Sequence, residues 1–98
     1  MPAEPSREVE ADVKATDSRI HGEGWAVILH NDEDHIRDEV VLQVMIALRC
    51  GIGMADGIVA RVEYAGKAII SITSLREARR MLRILEAIAL HTELQHIS

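Results

Sequence analysis

The sequence predicts an α+β domain in which three helices pack on a small three-stranded antiparallel sheet, in the order β-α-α-β-α-β. Two observations carry that prediction. Short β-branched or apolar runs bounded by turn residues recur at the start, middle and end of the folded part. Between them lie stretches whose apolar residues repeat with helical spacing.

The elements follow in order. Trp25-Ala-Val-Ile-Leu29 is a compact apolar run closed by the turn-forming His30-Asn31-Asp32, which suits a buried strand. Ile36, Val40, Val41, Val44, Met45 and Leu48 then form one apolar stripe. Glu33, Asp34 and Asp38 stand near that helix's start, where its dipole favours negative charge, and Gly51 is the expected C-terminal stop. A second, shorter helix is expected over Met54–Tyr64, with Ile58, Val59 and Val62 inward and Gly66 ending it. Lys67–Thr73 is β-branched and strand-like. Ser74-Leu-Arg-Glu77 fits a capping box that opens a long helix to about Leu90. That helix is expected to bury Leu75, Ala78, Met81, Leu82, Leu85 and Ile88, and Glu93–Ile97 alternates weakly as a last strand.

Composition narrows the function. The chain has 98 residues, 16 acidic against 11 Lys and Arg, a formal charge of −5 and no Phe. With Trp25 and Tyr64 as the only large aromatic side chains, stacking on single-stranded nucleic acid is not expected. The negative charge argues likewise against phosphate-driven DNA binding. Cys50 stands alone, so no internal disulfide framework exists. No apolar run reaches the ~18 residues of a membrane span, and the amino end lacks the pattern of a secretory signal. The expectation is a soluble, cytoplasmic, monomeric protein that needs no cofactor and engages neither membrane nor nucleic acid. Residues 1–24 hold six acids, three bases and both prolines, and are expected to form a mobile acidic tail before a domain spanning 25–98.

The segment His30-Asn-Asp-Glu-Asp-His35 concentrates polar chemistry between a strand and a helix. His30, Asp32, Asp34 and His35 are all capable of binding a metal, but their spacing matches no strong metal signature, so none is expected. No Ser or Cys has a base and an orienting group in view, so an enzyme is not expected. Carboxylates and an amide beside an apolar face also suit a protonated amine carried on an apolar group. A plain solvated turn before a helix remains the alternative.

Three stretches narrow the choice: Val27-Ile-Leu-His-Asn-Asp-Glu33, Glu39-Val-Val-Leu-Gln-Val44 and Ala60-Arg-Val-Glu-Tyr-Ala-Gly-Lys-Ala68. In one register over Trp25 to about His91, they resemble the ClpS family of Clp protease adaptors. That resemblance implies an α/β sandwich behind a flexible tail. It also implies a non-enzymatic adaptor that binds destabilising N-terminal residues and delivers their owners to the N-terminal domain of a Clp AAA+ unfoldase. Asn31 matches the family residue that holds the substrate α-amino group, and Asp32 and Glu33 occupy the acidic positions after it. Val40 and Val62 match pocket walls, with Leu94 a further candidate wall.

The sequence departs from the family at four positions of this site. Glu63 replaces a histidine that bonds the amine, Arg37 a methionine that gates the pocket, Val59 another pocket methionine, and His35 a small hydroxyl residue. A carboxylate at Glu63 still suits the amine. An α-amino group titrates near ~8 and is mostly cationic at neutral pH, and a carboxylate accepts its hydrogen bond with charge assistance. Arg37 is expected to compete for Asp32 and Glu63. On the last helix, Arg76, Arg79, Arg80 and Arg83 share a face, where the family docks its unfoldase with a mixture of acid and lysine. The alternative reading is therefore a ClpS-like interaction domain that no longer reads N-termini and binds a partner through this basic helix.

Overall fold

The computed structural model describes residues 24–97. Its elements are β1 (Trp25–His30), α1 (Arg37–Leu48), α2 (Ile52–Ala65), β2 (Lys67–Thr73), α3 (Leu75–Glu86) and β3 (Thr92–His96). The predicted order and class are those observed. β1 is the central strand, antiparallel to β2 on one side and β3 on the other. Of the expected tail over 1–24, residues 1–23 lie outside those described. Gly24 already extends the sheet, its carbonyl accepting the N–H of Ile97 at 2.6 Å.

Alternation along β1 sends Val27 and Leu29 into the core, where they meet Val40, Val41 and Val44 of α1, Ile58, Val59 and Val62 of α2, and Met81 and Leu85 of α3. A bulge between Val27 and Ile28 shifts the register against β2. Cys50 packs against the same cluster, and burial pushes its thiol up, as expected of a small hydrophobe.

Several boundaries differ from expectation. Ile36 is the N-cap of α1, with extended backbone, so its side chain leaves the helical stripe and is 72% exposed rather than buried. Arg49, not Gly51, ends that helix, in a left-handed conformation at φ 53° with its N–H returned to Met45. Gly51 serves instead as N-cap of α2, which starts at Ile52 and is longer than predicted. Ser74 caps α3 as expected, its Oγ accepting the Glu77 N–H at 3.2 Å. The reciprocal half of the capping box is replaced, because Arg80 Nε takes the Glu77 carboxylate at 2.9 Å.

α3 stops at Glu86, short of Leu90. Ala89 turns the chain at φ 65°, while Leu90, buried, donates its N–H back to Leu85. The Ala-Ile-Ala-Leu run has no local breaker; the reversal lets β3 reach β1. Of the side chains expected inside, Leu75, Leu82 and Ile88 are only half-buried. No single helix among the described residues is long and apolar enough to cross a membrane.

Candidate functional site

A small cleft of about 50 Å³, open to solvent, lies where the end of β1 meets the start of α1 and the middle of α2. Leu29, Val40, Val59 and Val62 form its apolar wall, and His30, Asn31, Asp32, His35, Arg37 and Glu63 its polar rim. The wall arises from period alone. Val59 and Val62 lie three apart on α2, and Val40 is the first buried position of α1. Leu29, the last inward residue of β1, closes the wall, although only its strand position, not a site role, was legible beforehand.

Asn31 is placed by two backbone bonds. The His30 N–H reaches the His91 carbonyl at 3.0 Å, and the Asn31 N–H reaches the Gly66 carbonyl at 2.8 Å. Gly66 turns α2 into β2 at φ 90°, a left-handed conformation that glycine adopts without the Cβ clash of other residues. The exposed Asn31 side chain is thus presented at the rim from a fixed backbone.

Asp32 is occupied within the loop. Its Oδ1 accepts the backbone N–H groups of Asp34 (2.6 Å) and His35 (3.0 Å), and its Oδ2 meets His35 Nδ1 at 2.9 Å. Burial pushes the Asp32 carboxyl up, but the Asp34 N–H and the His35 contacts outweigh it and leave the pKa below its ordinary value. His35 moves the other way. The Asp32 hydrogen bond and charge raise its pKa against an opposing burial effect. The turn and His35 take three of the roughly four acceptor sites of this carboxylate, which borders the cleft.

Arg37 crosses the rim. Its Nε donates to both Glu63 oxygens at 3.1 and 3.0 Å, and its Nη1 pairs with Asp56. Asp56, Val59 and Glu63 recur at spacings of three and four, so α2 presents them on one face. Asp56 escaped the sequence reading, though this spacing to Glu63 was a visible signal. The hydrogen bonds to Asp56 and then Glu63 raise the Arg37 pKa still further. Arg37 thus competes for Glu63 as expected, whereas its second partner is Asp56 rather than Asp32. Two carboxylates of the rim, Asp32 and Glu63, with Asp56 beyond it, outnumber this one permanent cation.

Two predicted site residues lie elsewhere. Glu33 is exposed and does not border the cleft, because the Asp32-centred turn leaves it on the outside of the loop. Leu94 pairs across the sheet with Val27 and packs on the core, since its register puts it on β3 away from α2. The four metal-capable residues of the loop also separate. His35 turns to Asp32, while His30 Nε2 meets Glu93 Oε2 of β3 at 2.9 Å.

The basic helix divides similarly. Arg76, Arg79 and Arg83 are exposed. Arg80 is not part of a free stripe: besides Glu77, its Nη2 donates to the Ala47 carbonyl at 2.8 Å. A cation there satisfies an orphan carbonyl at the C-terminus of α1 and opposes the negative end of its dipole.

Comparison with curated proteins gives no match. The family model described as ATP-dependent Clp protease adaptor protein ClpS, however, matches residues 21–95. That span covers every helix and nearly all of the sheet, including the whole cleft. The chain belongs to the ClpS family of ATP-dependent Clp protease adaptors.

Proposed function

We propose that this adaptor binds the free N-terminus of substrate proteins in the cleft and delivers them to a Clp AAA+ unfoldase in the cytoplasm, itself performing no catalysis. The observation that carries the reading is the cationic Arg37 held by Glu63 beside a wall of Leu29, Val40, Val59 and Val62. A positive group is already accommodated where an α-ammonium would sit, and the apolar wall stands ready for the first side chain. Glu63 has more acceptor sites than one guanidinium N–H consumes. An incoming ammonium therefore shares or displaces Arg37, with the Asn31 side-chain oxygen as a second acceptor. The paired Asp32 and His35 set the shape of the loop.

Peptides that differ only in a free or acetylated amino end test this reading by fluorescence anisotropy. Free ends bind, and acetylation weakens binding at least tenfold, the loss of roughly one charged hydrogen bond. Equal affinities would overturn it. The second reading, partner docking through α3, is supported by the exposure of Arg76, Arg79 and Arg83. On the proposed division of labour, a double Arg79→Glu, Arg83→Glu variant loses the unfoldase's N-terminal domain while keeping peptide affinity. Loss of both would place the two functions on one surface.

A further inference from the structure

At the cleft's edge the sheet assembles a cluster that no element carries by itself. The His30 N–H bonds the His91 carbonyl one step beyond the Leu29–Thr92 pair, which sets these histidines opposite each other across β1 and β3. Glu93 lies two residues beyond His91, hence on the same face. The two imidazole rings stack 3.9 Å apart and 7° from parallel. Glu93 Oε2 lies 2.9 Å from His30 Nε2 and 3.9 Å from His91 Nε2. One ligand atom from each of the three side chains lies within 4.8 Å of the others.

We propose that His30, His91 and Glu93 form a site for one divalent transition-metal ion of the zinc class. Bonds of about 2.0–2.2 Å in a tetrahedral shell set ligand atoms roughly 3.3 Å apart. The present separations bracket that value. His30 and Glu93 are anchored, with side chains 22% and 20% exposed, while His91 is 66% exposed and free to tilt inward. Two neutral imidazoles and a carboxylate are a donor set for zinc rather than for magnesium or calcium, which prefer oxygen. The three ligands leave a fourth position for water on the open side of His91.

The hydrogen bonding of the cluster favours the same reading. Glu93 bonds one ring and leaves the second beyond hydrogen-bond reach, and an ion between them engages all three groups. It would also fasten the end of β1, from which Asn31 projects, to β3. Because His30 also borders the cleft, the site adjoins the peptide site, but zinc binding is read without any peptide.

The test is titration of the full chain with zinc chloride at neutral pH, followed by calorimetry and by thermal melting. One ion binds per chain, and the melting temperature rises with zinc because the ion binds only the assembled strands. Magnesium produces no shift. His91→Ala and Glu93→Gln each weaken zinc by at least the roughly tenfold that loss of even an outer-shell partner causes. His96→Ala, a histidine outside the cluster, leaves binding intact. His91 is exposed and Glu93→Gln is isosteric, so both variants keep the fold, and melting without zinc checks this. Absence of zinc binding, or binding unchanged in His91→Ala and Glu93→Gln, overturns the proposal. So does loss of binding in His96→Ala alone.

Discussion

The cleft has two sides built by different physics. Its wall of Leu29, Val40, Val59 and Val62 is part of the hydrophobic core, with every member under 10% exposed. Its rim is partly solvated, and the Arg37–Glu63 pair joins side chains that are each about two-fifths exposed. Burial of the wall contributes directly to stability, whereas exposed ion pairs contribute little because water and salt screen them. The rim can therefore vary without unfolding the domain, while the wall cannot. The four positions that the resemblance marked as departures fall on both sides: His35, Arg37 and Glu63 lie on the rim, and Val59 lies in the wall.

The largest effect expected is on the wall. Leu29→Ala should lower unfolding free energy by about 2–5 kcal/mol in a urea titration. A change under 1 kcal/mol would mean that the wall is separable from the core. Next is Gly66→Ala, which forces a Cβ into the left-handed region at a cost of about 1–2 kcal/mol. Nothing lies within 4 Å of the added carbon, so the cost is purely one of backbone conformation. Because the Gly66 carbonyl holds Asn31, peptide affinity should fall with it.

Arg80→Ala removes the link to the Ala47 carbonyl and should cost about 1 kcal/mol. Arg79→Ala on the same helix should leave the urea midpoint unchanged. Equal effects would erase the distinction between the embedded and the exposed arginines.

The Asp32–His35 pair predicts a modest pH dependence. His35, raised above its unfolded value, stabilises fully below about pH 6.5 and loses that contribution as pH rises through its folded pKa. Asp32, depressed, stabilises above about pH 4 and loses its contribution as pH falls through its lower folded value. The pair is therefore strongest from about pH 4 to 6.5. Thermal melts at pH 5.5 and 8 should differ more for the native chain than for His35→Ala. The smallest stability effect is expected for Arg37→Met, which should leave the urea midpoint in place while strengthening the free-amine peptide. Weaker peptide binding would make Arg37 a contributor to the site rather than a competitor.

Much of the fold was legible because its signals are local. The compact apolar run from Trp25, the helical spacing of Val40, Val41 and Val44, and the Ser74 cap each lie within a few residues of chain. Boundaries were less so. α3 ends before its sequence signals run out, and Ile36 falls outside the stripe it continues. Of the wall, Val40, Val59 and Val62 were named from the sequence, Leu29 was missed and Leu94 was named but lies elsewhere, and the rim was legible only as a set of residue types. Which carboxylate Arg37 takes depends on how α2 lies beside α1, and Asp32 is claimed by its own loop before any ligand arrives.

By itself, then, the sequence determined the order of elements, the apolar faces and the acidic character of the loop after β1, because periodicity and turn chemistry act over one or two turns of chain. Only the tertiary structure decided that Arg37 reaches Glu63 across 26 residues, that Arg80 closes α1 across 33, and that His30 meets Glu93 across 63. Such pairs depend on how packed elements are placed in space. That placement is set by the whole core at once, not by the residues that meet.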